Sequence, residues 1–244
     1  FFCVSCASSI QSVNTKEDTK YDFMSATGKL FVVIKGEKLN TECTTVAFSK
    51  NGKKYQFFTS AHCVANFDQI TFKVTLKNAR LFIVLETQNG RTQVCKAQVL
   101  AVGKMKDLDD YAILEAEVNG SISVMPLSNS DPKLGEDVLV VTAPVGLGTG
   151  LLQLKGYISK EKVFDGIIDG KKIKDAFLIQ IIGLGKGFGA SGSGVYVAKR
   201  GEIVGIVIGN TSNDQNHVSI LVVQITKFNT FYKEYMEGKY LLPE

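Results

Sequence analysis

Three short segments carry side chains whose types and spacing suit nucleophilic catalysis. Thr59-Ser60-Ala61-His62-Cys63 ends an apolar run in a small-residue turn that holds one of only two histidines. Asp110-Tyr111-Ala112-Ile113-Leu114 places an aspartate at the entrance of an apolar strand. Gly187-Phe188-Gly189-Ala190-Ser191-Gly192-Ser193-Gly194 is a glycine-rich turn that leads into Val195-Tyr196-Val197. A serine hydroxyl is a weak nucleophile until a histidine takes its proton. The histidine in turn needs a carboxylate to hold its tautomer and stabilise the imidazolium. Glycines permit a sharp backbone turn that can aim amide N–H groups at a developing oxyanion. Residue types therefore nominate His62, an aspartate of the Asp109-Asp110 pair and a serine of the glycine-rich turn.

Each segment has an ordinary reading when taken alone. A histidine in a turn is commonly a surface residue, an aspartate before a strand commonly forms a turn, and a glycine-serine run can be a plain loop. The run Gly183 to Gly189 also has the look of a phosphate cradle. That reading requires a helix to follow, and a Val-Tyr-Val strand follows instead. The three segments taken together outweigh these separate readings.

The elements that must position these residues are mostly strands. Short apolar runs occupy Leu30 to Ile34, Val46 to Phe48, Gln56 to Thr59, Ile70 to Leu76, Leu81 to Glu86, Cys95 to Val102 and Ala112 to Val118. Asn51-Gly52 and Asn89-Gly90 between such runs are strong hairpin signals. A second group covers Asp137 to Thr142, Leu151 to Ile158, Phe177 to Ile182, Val195 to Ala198, Ile203 to Ile208 and His217 to Val223. Ser128 to Gly135, with Asp131-Pro132, is the natural link between them. Phe228, Phe231, Tyr232 and Tyr235 recur at three and four residues and mark an amphipathic terminal helix. The pattern predicts an all-β chain of two six-stranded antiparallel barrels closed by a C-terminal α-helix. The divisions are a flexible leader over 1–24, a first barrel over 25–127, and a second barrel with the helix over 128–244.

Composition narrows the function. With 45% hydrophobic and 21% charged residues, the chain has an ordinary globular make-up. The net charge of +4 is mild, and lysines come singly or in pairs, which argues against a nucleic-acid partner. No apolar stretch is long enough to span a membrane. Five cysteines are too few for a disulfide scaffold, and Cys3 and Cys6 stand without a second Cys-x-x-Cys pair or a nearby histidine to make a structural zinc site, so no metal or cofactor is expected. The opening Phe-Phe-Cys-Val-Ser-Cys-Ala-Ser-Ser resembles the tail of an export signal, which points to a secreted or extracytoplasmic protein. It also resembles a lipoprotein cleavage site, with Cys6 as a candidate lipid anchor.

The three motifs together resemble those of a trypsin/chymotrypsin-fold serine protease. Ser-Ala-His-Cys at 60–63, Asp110-Tyr111-Ala112-Ile113-Leu114 and Gly189-Ala190-Ser191-Gly192 stand in the family's order His, Asp, Ser. The resemblance covers roughly residues 25 to 240. It implies a chymotrypsin-like double barrel and a serine endopeptidase acting on protein or peptide substrates. It also implies an oxyanion hole from the N–H groups of Gly189 and Ser191. It puts Gly185 and Lys186 at the base of the primary specificity pocket, and Val207, Ile208 and Gly209 on the strand that pairs with substrate. No acidic residue stands in that pocket, so a preference for Arg or Lys is not expected. Ala190 occupies the place where zymogen-activated members carry an aspartate, which suggests a bacterial or viral type that needs no freed N-terminus. Of the family's disulfides, only Cys43–Cys63 is implied. Closing that loop adds about 3 kcal/mol in the chain-entropy account. Cys95 is left as a buried thiol. The alternative to an active endopeptidase is a catalytically silent binding protein on the same fold.

Overall fold

The computed structural model describes residues 22–35, 41–68, 73–104, 109–143, 150–160, 166–168, 171–173, 176–181, 190–214 and 217–240. The chain runs α1 (Phe23–Ala26), β1 (Thr27–Ile34), β2 (Thr41–Asn51), β3 (Lys54–Thr59), α2 (Ala61–Val64), β4 (Ala65–Phe67), β5 (Val74–Leu76), β6 (Ala79–Glu86), β7 (Thr92–Val102) and β8 (Ala112–Glu117). It continues through β9 (Asp137–Thr142), β10 (Leu152–Lys160), β11 (Gly166–Ile168), β12 (Lys171–Ile173) and β13 (Ala176–Ile181). The last elements are β14 (Gly194–Val197), β15 (Glu202–Asp214), β16 (His217–Gln224) and α3 (Ile225–Met236).

Two closed six-stranded antiparallel barrels result, in the orders β1-β2-β3-β8-β7-β6 and β10-β13-β16-β15-β14-β9. The double barrel and the terminal helix are the architecture expected from sequence. Both Asn-Gly pairs turn hairpins, with Gly52 at φ 62° and Gly90 at φ 75°, in the left-handed region that glycine tolerates. One strand assignment needs correction. Of the run Ile70 to Leu76, the described part Val74–Leu76 pairs with β4 in a separate two-stranded sheet and not in the barrel. It follows β4 so closely that it folds back on it as a local hairpin above the histidine turn.

Strand alternation explains why so much of the chain is apolar. In β8, Ala112, Leu114 and Ala116 fill the first barrel, whereas Ile113 and the preceding Tyr111 face the layer between barrels. β3 does the same, with Tyr55 and Phe57 inward and Phe58 outward. Phe48, Phe58, Val141, Ile206 and Val223 from the two barrels meet in that shared layer. The link between barrels is held at its crossing point. Met125 N–H bonds Ala47 O on the first barrel, and Ser128 N–H bonds Ile203 O on the second.

Residues 1–21 of the expected leader, including Cys6, lie outside the described residues. Asp22 caps α1 by accepting the Ser25 N–H at 3.0 Å, and Phe23 is buried against Tyr196 with ring centroids 4.7 Å apart. A four-residue helix has no sequence period, so α1 and α2 leave no signal in the sequence.

Candidate active site

The histidine turn is built by the end of β3. Thr59 pairs with Ala112 across β3 and β8, which brings the residues just after Thr59 beside those just before Ala112. Ser60 then ends the extended chain, and the single helical turn α2 carries His62 and Cys63. The juxtaposition is direct. Asp110 Oδ1 accepts the His62 backbone N–H at 2.8 Å, and Asp110 Oδ2 lies 2.7 Å from His62 Nδ1. A carboxylate is an acceptor only, so Nδ1 carries the proton and Nε2 is left as the basic nitrogen. The Asp110 side chain is 10% exposed and that of His62 38%, so the acid is enclosed while the imidazole reaches solvent.

Ser191 stands in the turn before β14. Ser193 N–H closes it on Ala190 O at 3.0 Å, and Gly192 adopts φ 85°. The turn is fixed to both barrels. Gly192 N–H donates to Val207 O and Val207 N–H to Ser193 O, while Thr44 N–H on β2 donates to Ser191 O at 2.9 Å. A Cβ on Gly192 would stand 2.1 Å from Thr44 O, 2.4 Å from Thr59 Oγ1 and 3.1 Å from Ser60 N. The Ser191 turn therefore abuts the backbone two residues before His62. Ala190 is buried in the core of the second barrel, so packing holds the position next to Ser191.

Polar groups beneath the turn lock these pieces. Thr59 Oγ1 donates to Thr44 O at 2.7 Å, Ser60 Oγ to Val207 O at 2.8 Å, and Ala143 N–H to Thr44 Oγ1 at 2.9 Å. Cys43 and Cys63 form the disulfide implied by the resemblance, joining the neighbour of Thr44 to the neighbour of His62. Lys77 Nζ donates to the His62 carbonyl at 2.8 Å. Thr44, Ser60 and Lys77 carry no sequence signal of these roles, because their partners come from distant strands.

The other nominated residues divide. Gly185, Lys186 and Gly189 lie outside the described residues, as does Asp107. Val207 has its N–H and C=O engaged by Ser193, Gly192 and Ser60, so its peptide groups hold the serine turn and do not face a substrate strand. Ile208 falls at a register shift between Val207 and Gly209 in the β15–β16 pairing, and a Cβ on Gly209 would meet open space. Ser193 is fully buried. Asp109 faces Lys227 at 2.9 Å and not His62. Cys95 is a free buried thiol, which burial pushes up from its ordinary pKa. Among the described residues no group of His, Cys, Asp and Glu could hold a metal, and no helix is long and apolar enough to cross a membrane.

A family profile described as a trypsin-like peptidase domain matches residues 43–206, a span that includes His62, Asp110 and Ser191. No curated protein sequence matches significantly. Among solved structures, the chain is similar to a serine endoprotease from Yersinia pestis, with a TM-score of 0.59 and 17% identity over 89% of this chain. It spans 65% of that protein's length. It is also similar to Deg5, with a TM-score of 0.58 and 17% identity over 85% of this chain and 87% of that one. The Rv3671c protein of M. tuberculosis H37Rv, in an inactive mutant form, gives a TM-score of 0.63 and 16% identity over 90% of each chain. The structural likenesses speak for the fold, and the profile match covers most of the chain. The chain belongs to the trypsin-like peptidase domain family.

Proposed function

We propose that this protein is a serine endopeptidase that cleaves peptide bonds through an acyl-enzyme, with His62, Asp110 and Ser191 as its triad. The observation that carries the reading is the pair of hydrogen bonds by which His62 engages one carboxylate, through both its Nδ1 and its backbone N–H. That arrangement fixes the imidazole's rotation and tautomer and leaves Nε2 to take a proton. Ser191 Oγ attacks the substrate carbonyl as His62 takes its proton. His62 then returns the proton to the departing amine, and a water repeats the sequence to release the acyl group. Asp110 stays ionised and stabilises the imidazolium. The N–H groups of Gly189 and Ser191 receive the oxyanion. The Thr44 N–H on the Ser191 carbonyl holds the Ser191–Gly192 peptide, and with it the serine turn, in place before substrate arrives.

The substrate class is protein or peptide, without a cofactor. The Cys43–Cys63 disulfide supports a location in an oxidising, extracytoplasmic compartment. A fluorophosphonate probe tests the chemistry: stoichiometric labelling of the native chain, lost in Ser191→Ala, is expected. Folded wild-type protein that resists the probe would refute the reading and favour a silent binding protein on this fold. Peptide turnover separates a protease from an esterase.

A further inference from the structure

We infer that helix α3 is the positioning element for Asp110, acting through an ion pair between Lys227 and Asp109; this rests on the triad proposed above. Among the described residues, the Asp110 carboxylate bonds only to His62, the group it must orient. A carboxylate held only by its client takes its position from its own backbone, and so from the residues on either side. Both neighbours of Asp110 are anchored to α3. On one side, Lys227 Nζ lies 2.9 Å from Asp109 Oδ1, with both side chains 20% exposed. On the other, the buried Tyr111 ring packs against Phe228 and Phe231 with centroids 5.7 Å and 4.7 Å away.

The grip is completed from the first barrel. Gly103 N–H donates to Tyr111 O at 2.8 Å. A Cβ on Gly103 would stand 2.2 Å from Asp109 O, so this backbone approach has no slack. Helix α3 is itself fixed to the first barrel, with Phe228 edge-on to Phe48 and the Tyr232 hydroxyl donating to Gln56 Oε1 at 2.8 Å. The last element of the chain thus sets the height at which Asp110 enters the site. A shift of about 1 Å in such a group costs up to about 10²-fold in rate. Loosening one of several anchors should cost less.

The test uses the full chain with Lys227→Met, the milder Lys227→Gln, the conservative Lys227→Arg, Asp109→Asn and the Asp109→Asn/Lys227→Met pair. With concentrations set by fluorophosphonate titration, Lys227→Met and Lys227→Gln should lower kcat about tenfold and leave KM unchanged. Lys227→Arg should return kcat to within about twofold of wild type, and the double variant should lose no more than either single one. A readout independent of turnover is the low-field proton NMR signal of His62 Nδ1–H, easily assigned in a chain with two histidines. It should broaden or move in Lys227→Met. An unchanged kcat and an unchanged signal, with only a lowered melting temperature, would overturn the inference and leave α3 a structural strut. Losses that multiply in the double variant would overturn it too. A Ser191→Ala variant that still labels would instead refute the triad reading, whatever Lys227 does.

Discussion

Gly192→Ala is the sharpest single perturbation of the site. The residue holds φ 85°, a conformation that costs an L side chain about 1–2 kcal/mol. Its new methyl would stand 2.1 Å from Thr44 O and 2.4 Å from Thr59 Oγ1. Thr44 cannot retreat freely, since its N–H holds the Ser191 carbonyl and its Oγ1 accepts from Ala143 N–H. Relieving such overpacking typically costs about 1–3 kcal/mol. The two terms give about 2–5 kcal/mol, which at about 2–4 °C per kcal/mol lowers the melting temperature by roughly 10 °C. The strain also falls on the peptide that presents Ser191, so the fluorophosphonate labelling rate should drop about 10²-fold, as for a nucleophile moved by about 1 Å. Gly52→Ala is the control. It also has a positive φ, at 62°, but its Cβ would meet nothing within 4 Å. That variant should lose only the backbone term of about 1–2 kcal/mol and label at the wild-type rate. If Gly192→Ala melts with Gly52→Ala and labels within about threefold of wild type, the turn does not hold the nucleophile in the way argued.

Ser191→Ala should lower turnover about 10⁶-fold, whereas Ser193→Ala should leave it nearly unchanged, because the Ser193 hydroxyl is fully buried and lacks a hydrogen-bond partner among the described residues. Asp110→Asn should cost about 10⁴-fold by giving His62 Nδ1 an ambiguous partner, as a progress-curve assay would register. The Cys43→Ser/Cys63→Ser pair should lose about 3 kcal/mol in denaturant melts, and a reductant should destabilise the wild type alone; equal melting with and without reductant would contradict this. At high pH, the Tyr240 phenol is pushed up to about 12, first by burial and then by Glu234 and Asp109. The folded chain holds that proton more tightly than the unfolded one, so the contribution is complete below the unfolded value of 10.0 and is lost as pH rises through about 12. Buried Tyr111 and Tyr196 are shifted in the same direction. Tyr240→Phe should therefore flatten the alkaline fall in melting temperature.

The legible parts of the molecule were those whose information is local. His62, Asp110 and Ser191 each sit in a contiguous motif, and the two Asn-Gly hairpins follow from the φ of one glycine each. β-branched runs announced the strands of both barrels, and the terminal helix showed a clear apolar stripe. What stayed hidden depends on register. Thr44 reads as one threonine among several in β2, yet its backbone and side chain join β2, β9 and the serine turn. Val207 reads as a substrate-strand residue until its N–H and C=O prove to be engaged by the serine turn. Lys227 and Asp109 are far apart in the chain and meet only because α3 crosses back onto the first barrel.

The same distinction separates the chemistry of this site from its precision. The proposed reacting groups come from motifs that a sequence can display, one per loop, after β3, before β8 and before β14. Their relative placement comes from contacts between loops that no motif encodes. The His62 turn is fixed by Asp110, by Lys77 on its carbonyl and by the disulfide at Cys63. The Ser191 turn is fixed by Thr44 and Val207. The Ser191 turn is held by Thr44 of the first barrel and Val207 of the second, so the site exists only where both barrels are closed and docked. Activity in this protein should accordingly be lost before global unfolding, as the contacts between barrels loosen while each barrel's own ladder persists.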